Sequence, residues 1–362
     1  MTQTNSDYKL ISSDSHVVEP MDLFTTRVAA KFRDRVPRTE LIDGVPHLIV
    51  DGMRPRKMGG GDVAPEGEDL ERARAGGYDL KQRIIDQDRD GISAEVVFPT
   101  IFLQSSFASE DAELQMALAR AYNDWVAEIF ASEQERFAAV AICPMADIKA
   151  ACEEVKRVHA LGLRALFLPA RMPARPYNDP AYDPFWELVQ GLNMPLTFHS
   201  GTGHEPRIER GPGGAVINYI LGAQIDGAYV VTYFVASGVL DRFPGLQLVT
   251  VEAGGSWLAW VMTQMDEIYD AHHMWVKPKL SMKPSEFVRR QCHVGFIYDP
   301  VAVATREFTG IEPLMWGNDY PHPEGTWPNS IKLLEEQLPD LTPEEKRAIV
   351  GGNAARVFGF KI

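Results

Sequence analysis

Cysteine is scarce: Cys143, Cys152 and Cys292 are the only three in 362 residues, and no two form a CxxC pair. A disulfide framework is excluded, and the reading is a reducing, cytoplasmic setting with the thiols as buried small apolar groups. Positive charge is also short, with 36 Lys and Arg against 50 Asp and Glu, a net of −14. An electrostatically driven nucleic-acid partner needs a basic face, so that class is excluded. No apolar run approaches the ~20 residues that span a bilayer. The longest, 217–240, carries Gln224 and Asp226 and is expected to be a buried helix. The opening MTQTNSDYK is polar and has no apolar stretch of the signal-peptide kind. There is no internal repeat beyond a strand–helix period, no low-complexity tract, and no Gly-rich dinucleotide-type turn after any candidate strand.

What remains is a globular composition, 45% hydrophobic and 24% charged, in a chain long enough to bury a large core without staples. Eight short apolar runs punctuate it: 8–13 (YKLISS), 94–98 (AEVVF), 137–143 (FAAVAIC), 163–168 (LRALFL), 195–198 (PLTF), 246–251 (LQLVTV), 292–297 (CHVGFI) and 313–316 (PLMW). Continuous apolar runs of this length fit strands buried on both faces of a parallel sheet. Helical patterns alternate with them, over 109–129, 148–159, 183–192, 215–238, 257–272, 300–308 and 329–336, with Asp147 as a cap. A last helix opens at Thr342 with Pro343 at its first position. Strand–helix alternation with eight strands predicts a single-domain (β/α)8 TIM barrel over 1–362; a doubly wound open sheet is the alternative. Between the first two strands, 20–90 reads as an insertion on the catalytic rim. It holds a small hairpin with Gly44 and Gly52 as turns, then a flexible Gly-rich loop at 58–62.

Functional side chains of such barrels stand at the C-terminal ends of the strands. After the first run come Asp14, His16 and Glu19; after the fifth, His199 and His204; after the sixth, Glu252; after the eighth, Asp319 and His322. Any one of these has an ordinary structural reading, as a hydrogen-bonded histidine, a turn or a helix cap. Imidazoles and carboxylates at four of eight strand ends together point to a divalent metal. His47, His159, His272, His273 and His293 lie on the insertion, on helices or at a strand start, and take structural roles. Arg171 is a candidate anchor for a substrate carboxylate. Trp257, Tyr298 and Trp327, with Phe102, Phe107 and Tyr320, are candidates for an apolar pocket wall.

DSHVVEP, RIIDQDRDGISAEVVFPT, PLTFH, VEAGGSW, GNDYPHPEGTWP and GGNAARVFGF, in that order, resemble the amidohydrolase-related family. This is the superfamily branch that holds aminocarboxymuconate-semialdehyde and γ-resorcylate decarboxylases. The resemblance implies a barrel with one catalytic divalent metal, Zn2+ or Mn2+, acting on a small molecule, and a homodimer. It implies Asp14 and His16 as the first-strand metal pair, His199 as the fifth-strand ligand and Asp319 as ligand and acid–base. Glu252 stands where several decarboxylases of the family place a His. The implied activity is hydrolysis or non-oxidative decarboxylation of a small carboxylated or aromatic substrate. His322 and His204 would be donors beside the metal or substrate contacts. The donor set including Glu19 and Glu252 is also large enough for two metals, so the alternative is a dinuclear non-haem iron monooxygenase on the same barrel. A third reading is a barrel kept as a binding scaffold; the intact donor set argues against it.

Overall fold

Eight apolar runs become eight parallel strands. In the computed structural model, which describes residues 9–57, 75–103, 105–171, 175–203 and 211–361, they are β1 (Leu10–Val17), β5 (Ile92–Pro99), β6 (Phe137–Ile142), β7 (Ala165–Pro169), β8 (Leu196–His199), β9 (Leu248–Val251), β10 (Cys292–Phe296) and β11 (Leu314–Trp316). Their order in the sheet is their order in the chain. A bridge between Ser15 and Tyr320 closes the ring, with His16 N donating to Tyr320 O at 2.6 Å and Asp319 N to Asp14 O at 2.8 Å. The sheet is therefore a barrel and not the doubly wound alternative. The first strand runs further than its apolar stretch, so Asp14 and His16 lie within β1, not beyond it.

Several helices open at side-chain caps, Asp147 and Thr342 among them as expected. Asp111 accepts from Glu113 N and Leu114 N to open Ala112–Phe130, and Asp147 accepts from Ala150 N to open Ile148–Ala160. Thr342 and Glu345 cap each other's backbone around Pro343. Short capped helices outside buried strands are what direct each strand's C-terminal end to the same rim.

Two expectations are corrected. The 215–238 pattern is Gly214–Tyr219, a π-helical turn Ile220–Gln224 and Ile225–Ala236. Only the last is packed in: Val216 and Leu221 are each 68% exposed, whereas Val230, Val231 and Phe234 are buried. A run without a polar face gives no sign of which half meets the barrel. Next, a helix at Leu80–Asp90, capped by Asp79 and ended by Gly91 at φ 78°, occupies the end of the stretch read as an insertion. Its buried face is Arg83, Asp86, Gln87 and Asp90, so hydrophobic periodicity did not mark it. The expected hairpin is present, with Gly44 and Gly52 both in turns: β2 (Arg38–Ile42) and β3 (Val45–Ile49) run antiparallel around Asp43-Gly44, and a third strand β4 (Arg56–Lys57) adds beyond Gly52. The Gly-rich loop at 58–62 lies outside the described residues. Among the described residues no helix is long and apolar enough to cross a membrane.

Candidate metal centre

Donors from four strand ends meet at the rim. Asp14 and His16, two apart on β1, leave it on the same face. His199 ends β8, Glu252 follows β9, and Asp319 follows β11. Glu252 and Asp319 each hold φ near 54°, in the left-handed region that non-glycine residues rarely adopt, and such strain collects at functional sites. His16 Nε2 lies 3.2 Å from Asp14 Oδ1 and 3.2 Å from Asp319 Oδ1. His199 Nε2 is 3.9 Å from Asp14 Oδ1 and 3.4 Å from Glu252 Oε2.

Asp14, His16, His199 and Asp319 are buried, yet their carboxylate oxygens and Nε2 atoms make no well-aligned hydrogen bond; they face one another at 3.2–3.9 Å, and Asp319 Oδ1 has His322 Nδ1 at 3.0 Å. Leaving one buried polar atom unsatisfied costs ~1–3 kcal/mol, and more for a charged one. Partnerless atoms converging from separate strands are costly unless a cation completes them. The donor set therefore fits a divalent metal, with oxygen and imidazole ligands of the kind that hold Zn2+, Mn2+, Fe2+ or Co2+. His16 Nδ1 sits 2.8 Å from Pro99 O. A carbonyl only accepts, so Nδ1 carries a hydrogen there and Nε2 is the atom turned toward the cluster.

Charge states follow from burial and neighbours. Burial alone would lower the His16 pKa, but the Asp14 and Asp319 carboxylates outweigh it and hold the imidazole well above its ordinary value. A proton on Nε2 and a cation thus compete for one position. Burial pushes His199 down to about 4, with Asp14 pulling the other way and His16 reinforcing it. Burial would raise Asp319, but His16 and His322 hold it below the usual carboxylate range. Glu252 is pushed well up, by burial first and then by Asp319 and Asp14.

His322 joins the centre as expected for a residue beside it. Its Nδ1 is 3.0 Å from Asp319 Oδ1, its Nε2 is 3.1 Å from Thr100 Oγ1, and its ring stacks on His16 at 4.0 Å. Glu19 does not join. Its carboxylate accepts from the backbone N–H groups of Thr100, Ile101 and Phe102, at 3.2, 2.9 and 2.9 Å. It pins the loop after β5 instead of meeting the other donors. Sequence reasoning missed Thr100 and Glu324; the latter groups with Glu252 and Asp319 at the outer edge. Glu324 lies two residues after His322, and that proximity was the available signal.

The substrate-side candidates separate. Arg171 Nε donates to buried Asp226 at 2.6 Å, and its guanidinium lies over Tyr229. Trp257 and Tyr298 line one groove of about 430 Å3 with Ile220, Ile225 and Val301, next to Ala253 and Gly254. Trp327 is a core residue, buried against Tyr320 with Nε1 donating to Asp86 O at 3.1 Å. Phe102, Phe107 and Tyr320 are buried as well. His204 lies outside the described residues. His293 is structural, buried between Glu312 O and Gln247 Oε1.

Comparison with known proteins agrees with this geometry. The amidohydrolase family model matches residues 78–360. A 2-amino-3-carboxymuconate-6-semialdehyde decarboxylase of Dictyostelium discoideum is 20% identical over 288 residues, 78% of this chain and 77% of that protein. An amidohydrolase of Mycobacterium avium subsp. paratuberculosis K-10 superposes with a TM-score of 0.80 at 20% identity, covering 98% of this chain and 100% of the other. A dihydroxybenzoic acid decarboxylase of Polaromonas sp. JS666, with bound manganese and an inhibitor, superposes at 0.65 and 18% identity, covering 97% of each. The dinuclear iron monooxygenase alternative gains no support from these relatives. With a family model spanning the barrel from residue 78 to 360 and strand-end donors gathered at one rim, this chain belongs to the amidohydrolase family of enzymes.

Proposed function

We propose that this chain is a divalent-metal-dependent carboxy-lyase that removes CO2, without redox chemistry, from a small aromatic or conjugated carboxylic acid. The supporting observation is the set of partnerless donor atoms on Asp14, His16, His199 and Asp319, taken with decarboxylases among the relatives. Those four residues would hold the cation, Zn2+ or Mn2+. Bound there, it would supply Lewis-acid polarisation of substrate oxygens.

The chain's own groups handle the proton. Decarboxylation breaks a C–C bond, leaves its electron pair on carbon and needs one proton delivered to that carbon. Glu252, kept neutral mainly by burial, has a proton to give. Asp319, held ionised beside His16 and His322, would be a metal ligand and stays unprotonated through the step. Glu252 recovers its proton from water. His322, anchored by Thr100 and Asp319, orients the carboxylate. Arg171, fixed through Nε by Asp226, presents the rest of its guanidinium to a substrate carboxylate, with Trp257, Tyr298 and His204 as further contacts. A homodimer belongs to the same proposal, and light scattering at micromolar concentration checks it.

The test loads the purified protein with Mn2+ or Zn2+ and offers dihydroxybenzoates and carboxylated conjugated acids in D2O. The expected result is CO2 release with deuterium at the vacated carbon, abolished by a chelator. Metal-loaded protein that releases no CO2 but hydrolyses amides or lactones overturns the carboxy-lyase reading. Wild-type protein that binds no divalent metal overturns the centre itself.

A further inference from the structure

The closing edge of the barrel carries an unusual density of buried polar groups. Donors stand on both of its sides: Asp14 and His16 on β1, Asp319 after β11. Whatever sets the spacing across this edge sets the spacing of the cluster. Only Ser15 and Tyr320 form a bridge there among the described residues, whereas β1 follows β5 along most of its length.

Arg83, on the helix Leu80–Asp90, spans this edge from outside and is 1% exposed. Its Nη1 donates to His16 O at 2.6 Å and its Nη2 to Ser15 Oγ at 3.0 Å. Its Nε donates to Glu95 Oε2 at 2.7 Å, and its guanidinium lies over the Tyr320 ring, 5.1 Å from the centroid. Tyr320 in turn donates its hydroxyl to Asp86 Oδ2 at 2.7 Å, one helical turn along from Arg83. Tyr320 O accepts from His16 N. His16 therefore has its N, O and Nδ1 all engaged, and only Nε2 is left for the cluster.

Stability alone does not account for this arrangement. A buried ion pair is often no better than packed apolar residues of the same volume. Glu95 is also left with a buried, partnerless Oε1. We propose that Arg83, with Glu95, Tyr320 and Asp86, is a clasp across the barrel edge that positions His16 and Asp319, and so sets the affinity and geometry of the metal centre. Arg83 and Tyr320 are positioning residues: they touch the ligands' backbone and neighbours, not the reacting atoms. The inference rests on the proposed metal centre.

The test compares Arg83→Lys and Tyr320→Phe with wild type by competition for Mn2+ against a chelator, by the visible spectrum of the Co2+-loaded protein, and by melting of the metal-free protein. The expectation is about tenfold weaker Mn2+ binding or more for Arg83→Lys, the scale seen when groups supporting metal ligands are lost. The Co2+ spectrum should shift, and Tyr320→Phe should move both readouts in the same direction. Wild-type Mn2+ affinity and an unchanged Co2+ spectrum in both variants, whatever the melting temperature, overturn the clasp and leave it a structural contact. If Arg83→Lys does not fold, Tyr320→Phe decides by the same two readouts. A wild type that binds no Mn2+ or Co2+ refutes the metal centre instead, which separates the two failures.

Discussion

Replacing Asp14 by Asn should raise the stability of the metal-free protein and lower that of the metal-loaded one. Asp14 is 1% exposed and neither carboxylate oxygen has a hydrogen-bond partner. Asp319, also 3.2 Å from His16 Nε2, balances the imidazolium by itself, so an amide of the same shape removes the excess negative charge without opening a cavity but stays buried and polar, a gain of ~1–2 kcal/mol. For 362 residues, an unfolding entropy of ~2.1 cal/mol/K per residue gives about 0.8 kcal/mol/K, so the gain is roughly 1–3 °C in Tm. Metal acts oppositely. At a free concentration a thousandfold above Kd, binding stabilises by ~4 kcal/mol, about 5 °C. If the Asn variant binds about a hundredfold more weakly, the same concentration adds ~1.4 kcal/mol, about 2 °C. The curves of Tm against Mn2+ should therefore cross. Calorimetry of chelated and Mn2+-loaded samples reads both arms. A variant less stable than wild type without metal, or one with an equal Mn2+ shift, would refute the argument that Asp14 is kept charged for a cation.

His199→Ala should retain the fold and lose its metal, as measured by elemental analysis of protein purified without added metal; full occupancy in the variant would remove His199 from the donor set. Asp90, pushed up to about 7 by burial against partial relief from Ser330, holds a proton in the folded state that the unfolded chain has released above about pH 4. Its contribution to stability is thus present below about pH 4 and is lost as pH rises toward 7. Urea midpoints at pH 5 and 8 should lie closer together in Asp90→Asn than in wild type, and an unchanged gap would contradict the assignment. Trp327→Phe loses the Asp86 bond and should cost ~1–2 kcal/mol of stability with KM unchanged; a large KM rise would return Trp327 to the substrate pocket.

Most of the elements, and the chemistry available to them, are legible from residue order alone. The strands are legible because both their faces are buried, which writes them as continuous apolar runs such as AEVVF and PLTF. Helix starts at Asp111, Asp147 and Thr342 are legible because a cap is a local bond between residues two or three apart. Asp14, His16, His199 and Asp319 stand out only jointly: each alone has an ordinary structural reading, but imidazoles and carboxylates at several strand ends together point to a metal. Which donors meet depends on contacts between distant segments. Glu19 looks like a further ligand in sequence but is taken by backbone N–H groups after β5. Trp327 looks like a pocket residue but is buried against Tyr320. The first half of the 215–238 run is apolar yet faces outward. The helix Leu80–Asp90 buries its charged face, since the partners of Arg83 and Asp86 lie on β1, on β5 and after β11. Local periodicity records the polarity of a face, whereas partners up to 240 residues away decide whether that face is buried.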